Sequence, residues 1–188
     1  ASPTSGGADR ESDDELRART YLKVRAPGTS GNKNDYVTWA MSVDGVGGAK
    51  CVPLWNGAGT VKVVIVSSSG EAASTSLVSS VSGYIETVRP VGASVTVVSA
   101  TAKTLNVKAK ITLKSGYTET TVNTSITAAI RAYLQAFRLS GSVVSYAKIG
   151  AVILGVEGVD DYSDLKIGVG TALGTSNITI GETEVPVM

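Results

Sequence analysis

Residues 39–51 read WAMSVDGVGGAKC, and the fold turns on whether the glycines at 45, 47 and 48 cradle a phosphate or turn a corner. A P-loop requires G-x-x-x-x-G-K-[ST], in which backbone amides hold phosphates and a hydroxyl reaches magnesium. Lys50 instead lies between Ala49 and Cys51, so the Gly-Lys pair and the hydroxyl are both missing. A dinucleotide fingerprint runs strand, G-x-G-x-x-G, helix. The order here is the reverse: Tyr36, Trp39, Ala40 and Val43 recur at helical spacing before the glycines, and strand-like residues follow. The stretch reads as a helix ended at Asp44-Gly45, where positive φ is cheap for glycine, turning into a sheet with Val46 packed inward. Gly45 is a structural corner.

The same grammar extends in both directions. Residues 1–8 are small and polar, as in a linker. Ser12-Asp13-Asp14-Glu15 forms a capping box with acidic residues at the positive end of a helix over about 12–25, and APGTSG at 26–31 ends it. A second helix covers about 33–43. After the glycines, AKCVPLW (49–55) is an irregular strand, and TVKVVIV (60–66) is an almost wholly β-branched run that suits a strand covered on both faces. Leu77, Val81, Tyr84, Ile85 and Val88 mark a helix that stops at Arg89-Pro90, and SVTVVSA (94–100) is the next strand. Pro90 and Gly92 make the corner between them.

In the second half, Leu105, Val107, Ala109, Ile111 and Leu113 alternate with Asn106, Lys108, Lys110 and Thr112, a strand with one apolar face. Val122, Ile126, Ile130, Tyr133, Leu134 and Phe137 stripe a helix over about 120–138. YAKIGAVILGVEGVDDYSDLKIG (146–168) is a further helix or strand pair, and NITIGETEVPVM closes the chain with two short strands or a strand and tail. Residues 77–95 echo 122–144, and 36–51 echo 146–163. The chain therefore reads as α+β, two small related modules of helices packed on short mixed sheets. They divide as a linker at 1–8, a middle module at 9–102 and a C-terminal module at 103–188.

Composition excludes much chemistry. The 188 residues are 43% hydrophobic and 18% charged, enough to bury a core. A net charge of +1 is too balanced for tracking nucleic acid, and no apolar run approaches the roughly 18 residues of a membrane span. One cysteine, Cys51, rules out an internal disulfide. The absence of histidine removes the commonest general base, so Ser-His-Asp and Cys-His mechanisms are excluded. With no initiator methionine and a small polar start, the chain reads as a piece of a longer protein. No cofactor or metal site is expected: Asp13, Asp14 and Glu15 are accounted for by capping. Asp160, Asp161 and Asp164 lack the glycine and distal glutamate of a calcium loop. Two surfaces remain as candidate interfaces. Trp55, between Pro53 and Asn56, suits an interface anchor. Lys108, Lys110 and Lys114 form a ridge whose other reading is a guard against unwanted sheet pairing.

The ordered landmarks GGADRESDDELRAR (6–19), GNKNDYVTWAMSVDGVGGAKCVP (31–53), GAGTVKVVIV (57–66), YIETVRPVGASVTVVSA (84–100), VVSYAKIGAVILGVEGVDDYSDLKIG (143–168) and NITIGETEVPVM (177–188) resemble the baseplate J-like family. These are wedge proteins of contractile phage tails and related injection particles. The Arg89-Pro90-Val91-Gly92-Ala93 corner and the helix end at 39–46 are the most specific matches. The resemblance implies a non-enzymatic building block without catalytic residues, at the tail baseplate and assembled in the bacterial host. Its implied partners are copies of itself and other wedge proteins in an oligomeric ring, with no nucleic acid and no membrane. The competing reading is an extracellular adhesin or carbohydrate-binding module, which demands a cleft with exposed aromatic rings.

Overall fold

The computed structural model describes residues 31–188 together with Asp13, Leu16, Arg17, Thr20, Tyr21 and Val24, six helical positions of the N-terminal part. The linker at 1–8 and the Ser12–Glu15 capping box lie outside the described residues, Asp13 excepted. Helix α1, Lys33–Met41, starts at a capping box of its own: Asn32 accepts from the amides of Asn34 and Asp35, and buried Asp35 accepts from those of Gly31 and Asn32. Its end departs from the sequence reading. The Ser42 hydroxyl donates to the Trp39 carbonyl at 2.7 Å and closes the helix before Asp44-Gly45 is reached. Gly45 lies in the turn that follows, at φ +89°, and Val46 behind it is buried.

Strands β1 (Val46–Pro53) and β2 (Thr60–Ser67) pair antiparallel, with a bulge at Gly47. A Cβ at Gly47 would lie 2.4 Å from the Ser67 carbonyl oxygen, so the bulge needs glycine. Helix α2 (Thr75–Val88) then crosses over to β3 (Ser94–Ser99), parallel to β2, which makes β2 the central strand. This is why β2 reads as unbroken valine and isoleucine over residues 63–66. Val63 and Ile65 enter a core beneath α1 and α2 with Tyr36, Ala40, Val81 and Ile85. Val64 and Val66 enter a separate core on the opposite face.

Strand β4, Thr101–Leu113, continues β3 after a break at Ala100. The Ala100 amide still donates to Ile65 of the first sheet, at 2.8 Å, while the Thr101 amide donates to Thr183, at 3.0 Å. One stretch of chain thus passes between two sheets. Helix α3 (Glu119–Leu134), a 3-10 turn at Gln135–Phe137, β5 (Val143–Val144), α4 (Tyr146–Leu154), β6 (Val159–Val169), β7 (Ala172–Gly174), β8 (Ile178–Thr179) and β9 (Glu184–Val187) complete the order. The second sheet runs β7-β6-β4-β9, with β9 parallel to the first four residues of β4 and β6 antiparallel to the rest. A core led by Leu105, Ile130, Ile149, Ile153 and Ile167 lies between this sheet and its two helices.

The joint between the halves is the core on the far face of β2, where Val64, Val66 and Ala100 meet Leu139 and Val185. Lys50 spans its rim, donating to the Leu139 carbonyl at 3.3 Å and pairing with Glu182 at 3.0 Å. The halves also share a corner. Val43-Asp44-Gly45-Val46 leads from α1 into β1, and Val156-Glu157-Gly158-Val159 leads from α4 into β6, with glycine φ of +89° and +91°. They do not share a strand order.

Candidate assembly interface

Arg89 holds together the Arg-Pro-Val-Gly-Ala corner. It caps α2 and points both ways: Nε and Nη2 donate back to Glu86, at 2.6 and 2.5 Å, and Nη1 donates forward to the Ala93 carbonyl at 2.6 Å. The Glu86 carboxylate is held below the usual glutamate range, chiefly by this hydrogen bond. Gly92 supplies φ +87° in the turn. Pro90 packs on Gly31 so closely that a Cβ there would lie 2.2 Å from its ring, which ties the corner to the start of α1. Stapled this way, the corner holds Val91 fully exposed.

Beside it stands the tip of the β1–β2 hairpin. The Ser94 amide donates to the Gly59 carbonyl at 2.8 Å, so corner and tip are neighbours. Thr60 braces the tip, its Oγ1 donating to the Gly57 carbonyl at 2.7 Å and accepting from the Asn56 amide at 3.0 Å. Leu54 sits at φ +55°, costly for a residue with a Cβ, and is 66% exposed. Trp55 is 40% exposed, with the Lys62 ammonium 4.2 Å from its ring centroid. Leu54, Trp55 and Val91 thus stand out at one end of the first sheet on rigidly held loops. The sequence pointed to Trp55. Val91, flanked by Pro and Gly, carried a legible signal of exposure, whereas the strained Leu54 backbone had none.

The lysines divide differently. Lys108 and Lys110 share the exposed face of β4, and Lys114 follows the strand's end at Leu113. Lys110 pairs with Asp164 at 2.6 Å. Lys108 lies directly opposite Lys166 of β6, a like-charge neighbour visible only once the register is known. Asp160, Asp161 and Asp164 do not converge, and among the described residues no group of three side chains could hold a metal. Among them too, no helix is long and apolar enough to cross a membrane. Cys51 is half-buried, and burial pushes its thiol up, away from reactivity. A shallow depression of about 560 Å³ runs past Lys103, Ile167, Leu173, Asn177 and Thr179. No aromatic ring lines it.

Helices packed on mixed sheets, with their corners and braced hairpin tip, define an α+β fold. The chain belongs to the baseplate J-like family: residues 28–99 match the Baseplate J-like central domain and residues 105–188 the Baseplate J-like protein C-terminal domain. It is 35% identical over 188 residues to the phage-like element PBSX protein XkdT of Bacillus subtilis (strain 168), covering 96% of this chain and 53% of that protein. It is 33% identical over 170 residues to baseplate protein gp47 of Escherichia phage Mu, covering 84% of this chain and 46% of that protein. The chain thus spans about half the length of these curated relatives. In fold it is similar to a chain of the anti-feeding prophage baseplate solved by cryo-EM with 6-fold symmetry. That likeness has a TM-score of 0.62 at 12% identity, over 96% of this chain and 42% of that one.

Proposed function

We propose that this chain is part of a structural, non-enzymatic component of the baseplate of a contractile phage or prophage tail. The observation that carries the reading is the match of both halves to baseplate J-like domains in their family order. The full-length protein works by assembly in the host cell, burying surfaces against copies of itself and other wedge proteins in a ring. Within the chain, 9–102 is the middle module and 103–188 the C-terminal one, after a linker at 1–8. Gly45, Pro90 and Gly92 are structural corners, and Trp55, with Leu54 and Val91, is the anchor; the face of Lys108 and Lys110 is a second, polar contact, with Lys114 at its edge. Their small shared core lets the modules shift against each other when the baseplate switches state.

The test is co-purification of the full-length protein with the proteins encoded beside it among tail genes. A stable complex is expected, and Trp55→Ala should weaken it by about 30-fold, the effect of losing an anchor worth about 2 kcal/mol. If the wild-type protein forms no complex with any of them, the assembly reading fails. Specific glycan binding by the purified protein would favour the adhesin instead.

A further inference from the structure

Strand edges left bare invite pairing, and proteins guard them with charges, proline, bulges or brevity. Most edges here follow that rule. Strand β1 carries the Gly47 bulge and ends in Pro53; β7 has three residues; β9 has four, with Pro186 among them. Strand β6 bears Asp160, Asp161 and Asp164 and a register shift, and β4 beyond β9 bears Lys108 and Lys110. Strand β3 is the exception. Its six residues, SVTVVS, hold no charge and no proline, and its register with β2 is unbroken.

The open groups can be named from the ladder. The Ser94 amide donates to Gly59 and the Ala100 amide to Ile65, so Ser94, Thr96, Val98 and Ala100 bond towards β2. In a parallel ladder the alternate residues, Val95, Val97 and Ser99, turn their N–H and C=O groups the other way. No backbone hydrogen bond joins these three to another described residue on that side. The same side is used a few residues on, where Thr101 donates to Thr183 and β9 lies along Thr101–Thr104. Among the described residues the edge is thus open between β9 at one end and the exposed Val91 corner at the other.

We propose that this edge receives an extended, uncharged, β-branched strand from a different polypeptide of the baseplate, completing the first sheet by main-chain pairing. The proposal rests on the baseplate reading above and names the kind of partner. A second copy of this chain fits poorly. A two-fold pairing that uses all three outward residues is centred on Val97 and sets the partner copy's Ser94 opposite Ala100. The partner copy's Pro90–Ala93 corner then falls on residues 101–104, already occupied by β9. Among the described residues a lone strand meets no such obstruction.

Hydrogen exchange of the full-length protein, free and in the assembled baseplate, tests this at single amides. In the free protein Val95, Val97 and Ser99 should exchange about 100-fold faster than Thr96 and Val98, and assembly should slow the three by about as much. If the three remain fast in the baseplate while amides around Trp55 become protected, the strand proposal is overturned and the baseplate reading stands. If neither region becomes protected, both fall. Val97→Pro removes one outward N–H and no ladder bond. Because Val97 also packs against the core beneath α1 and α2, the control is Val97→Ala. Val97→Pro should melt within about 5 °C of that control, yet capture neighbouring tail proteins at least about tenfold less. Unimpaired capture by a folded Val97→Pro protein overturns the proposal. So does self-association of the wild type that Val97→Pro abolishes, which would make the occupant a second copy.

Discussion

At Gly45 and Gly158 the backbone takes the same left-handed turn, but the two glycines face different surroundings. A Cβ on Gly45 would meet nothing nearer than Leu77 Cδ1 at 3.5 Å, an ordinary contact. A Cβ on Gly158 would lie 2.5 Å from Tyr117 Cδ1 and 2.9 Å from Val122 Cγ2. Gly45→Ala therefore carries only the strain of positive φ, about 1–2 kcal/mol. Gly158→Ala adds a clash with the start of α3 and should cost at least about 1 kcal/mol more. Urea unfolding of the two variants measures both, and equal losses would refute the steric argument. The run Val-acid-Gly-Val was legible as a corner at 43–46, and at 156–159 only through the echo of 36–51 in 146–163. That its second copy is the tighter was not, because the crowding comes from Tyr117, some forty residues away in sequence.

Among the elements, what was legible is what local pattern dictates. The β-branched run of β2 announced burial on both faces, and the alternation over 105–113 announced a one-faced strand. What was missed depends on distant partners. Residues 101–104 of β4 show no alternation, and their strand character comes from pairing with β9 at the far end of the chain. The end of α1 was misplaced because the hydroxyl of Ser42 acts before the glycine does. The Arg89 corner lies between these cases, since its sequence is distinctive but its staple is a matter of geometry. Arg89→Ala removes the bonds to Glu86 and Ala93 together and leaves the α2 core, Val81 and Ile85, untouched. The Ala93 amide, which donates to the Pro90 carbonyl at 3.2 Å, should then exchange about tenfold faster while that of Ile85 keeps its rate. If Ile85 speeds up equally, the corner is part of the α2 fold and not a local staple.

For the whole molecule, the decisive feature is that its halves meet, among the described residues, through one strand, one small core and the Lys50 tie. That core includes β9, whose hold on β4 is sensitive to pH. Lys103 donates to Glu184 at 2.9 Å, and the Gly181 amide donates to the same carboxylate oxygen at 2.7 Å. The Lys103 bond first, then that amide, hold Glu184 below the usual carboxylate range. A carboxylate with a depressed folded pKa stabilises the fold above its unfolded pKa, about 4.3 for glutamate, and that contribution is lost as pH falls through the folded value. Beside Glu184 is Val185, fully buried in the core that joins the halves, so loosening β9 loosens the joint. Glu184→Gln should accordingly destabilise the protein by a constant amount above about pH 5, and the gap from wild type should shrink as pH falls below about 4. Thermal melts of both proteins from pH 7 to pH 3 give that difference directly. A gap that stayed constant down to pH 3 would show that the carboxylate's charge does not hold β9 in place.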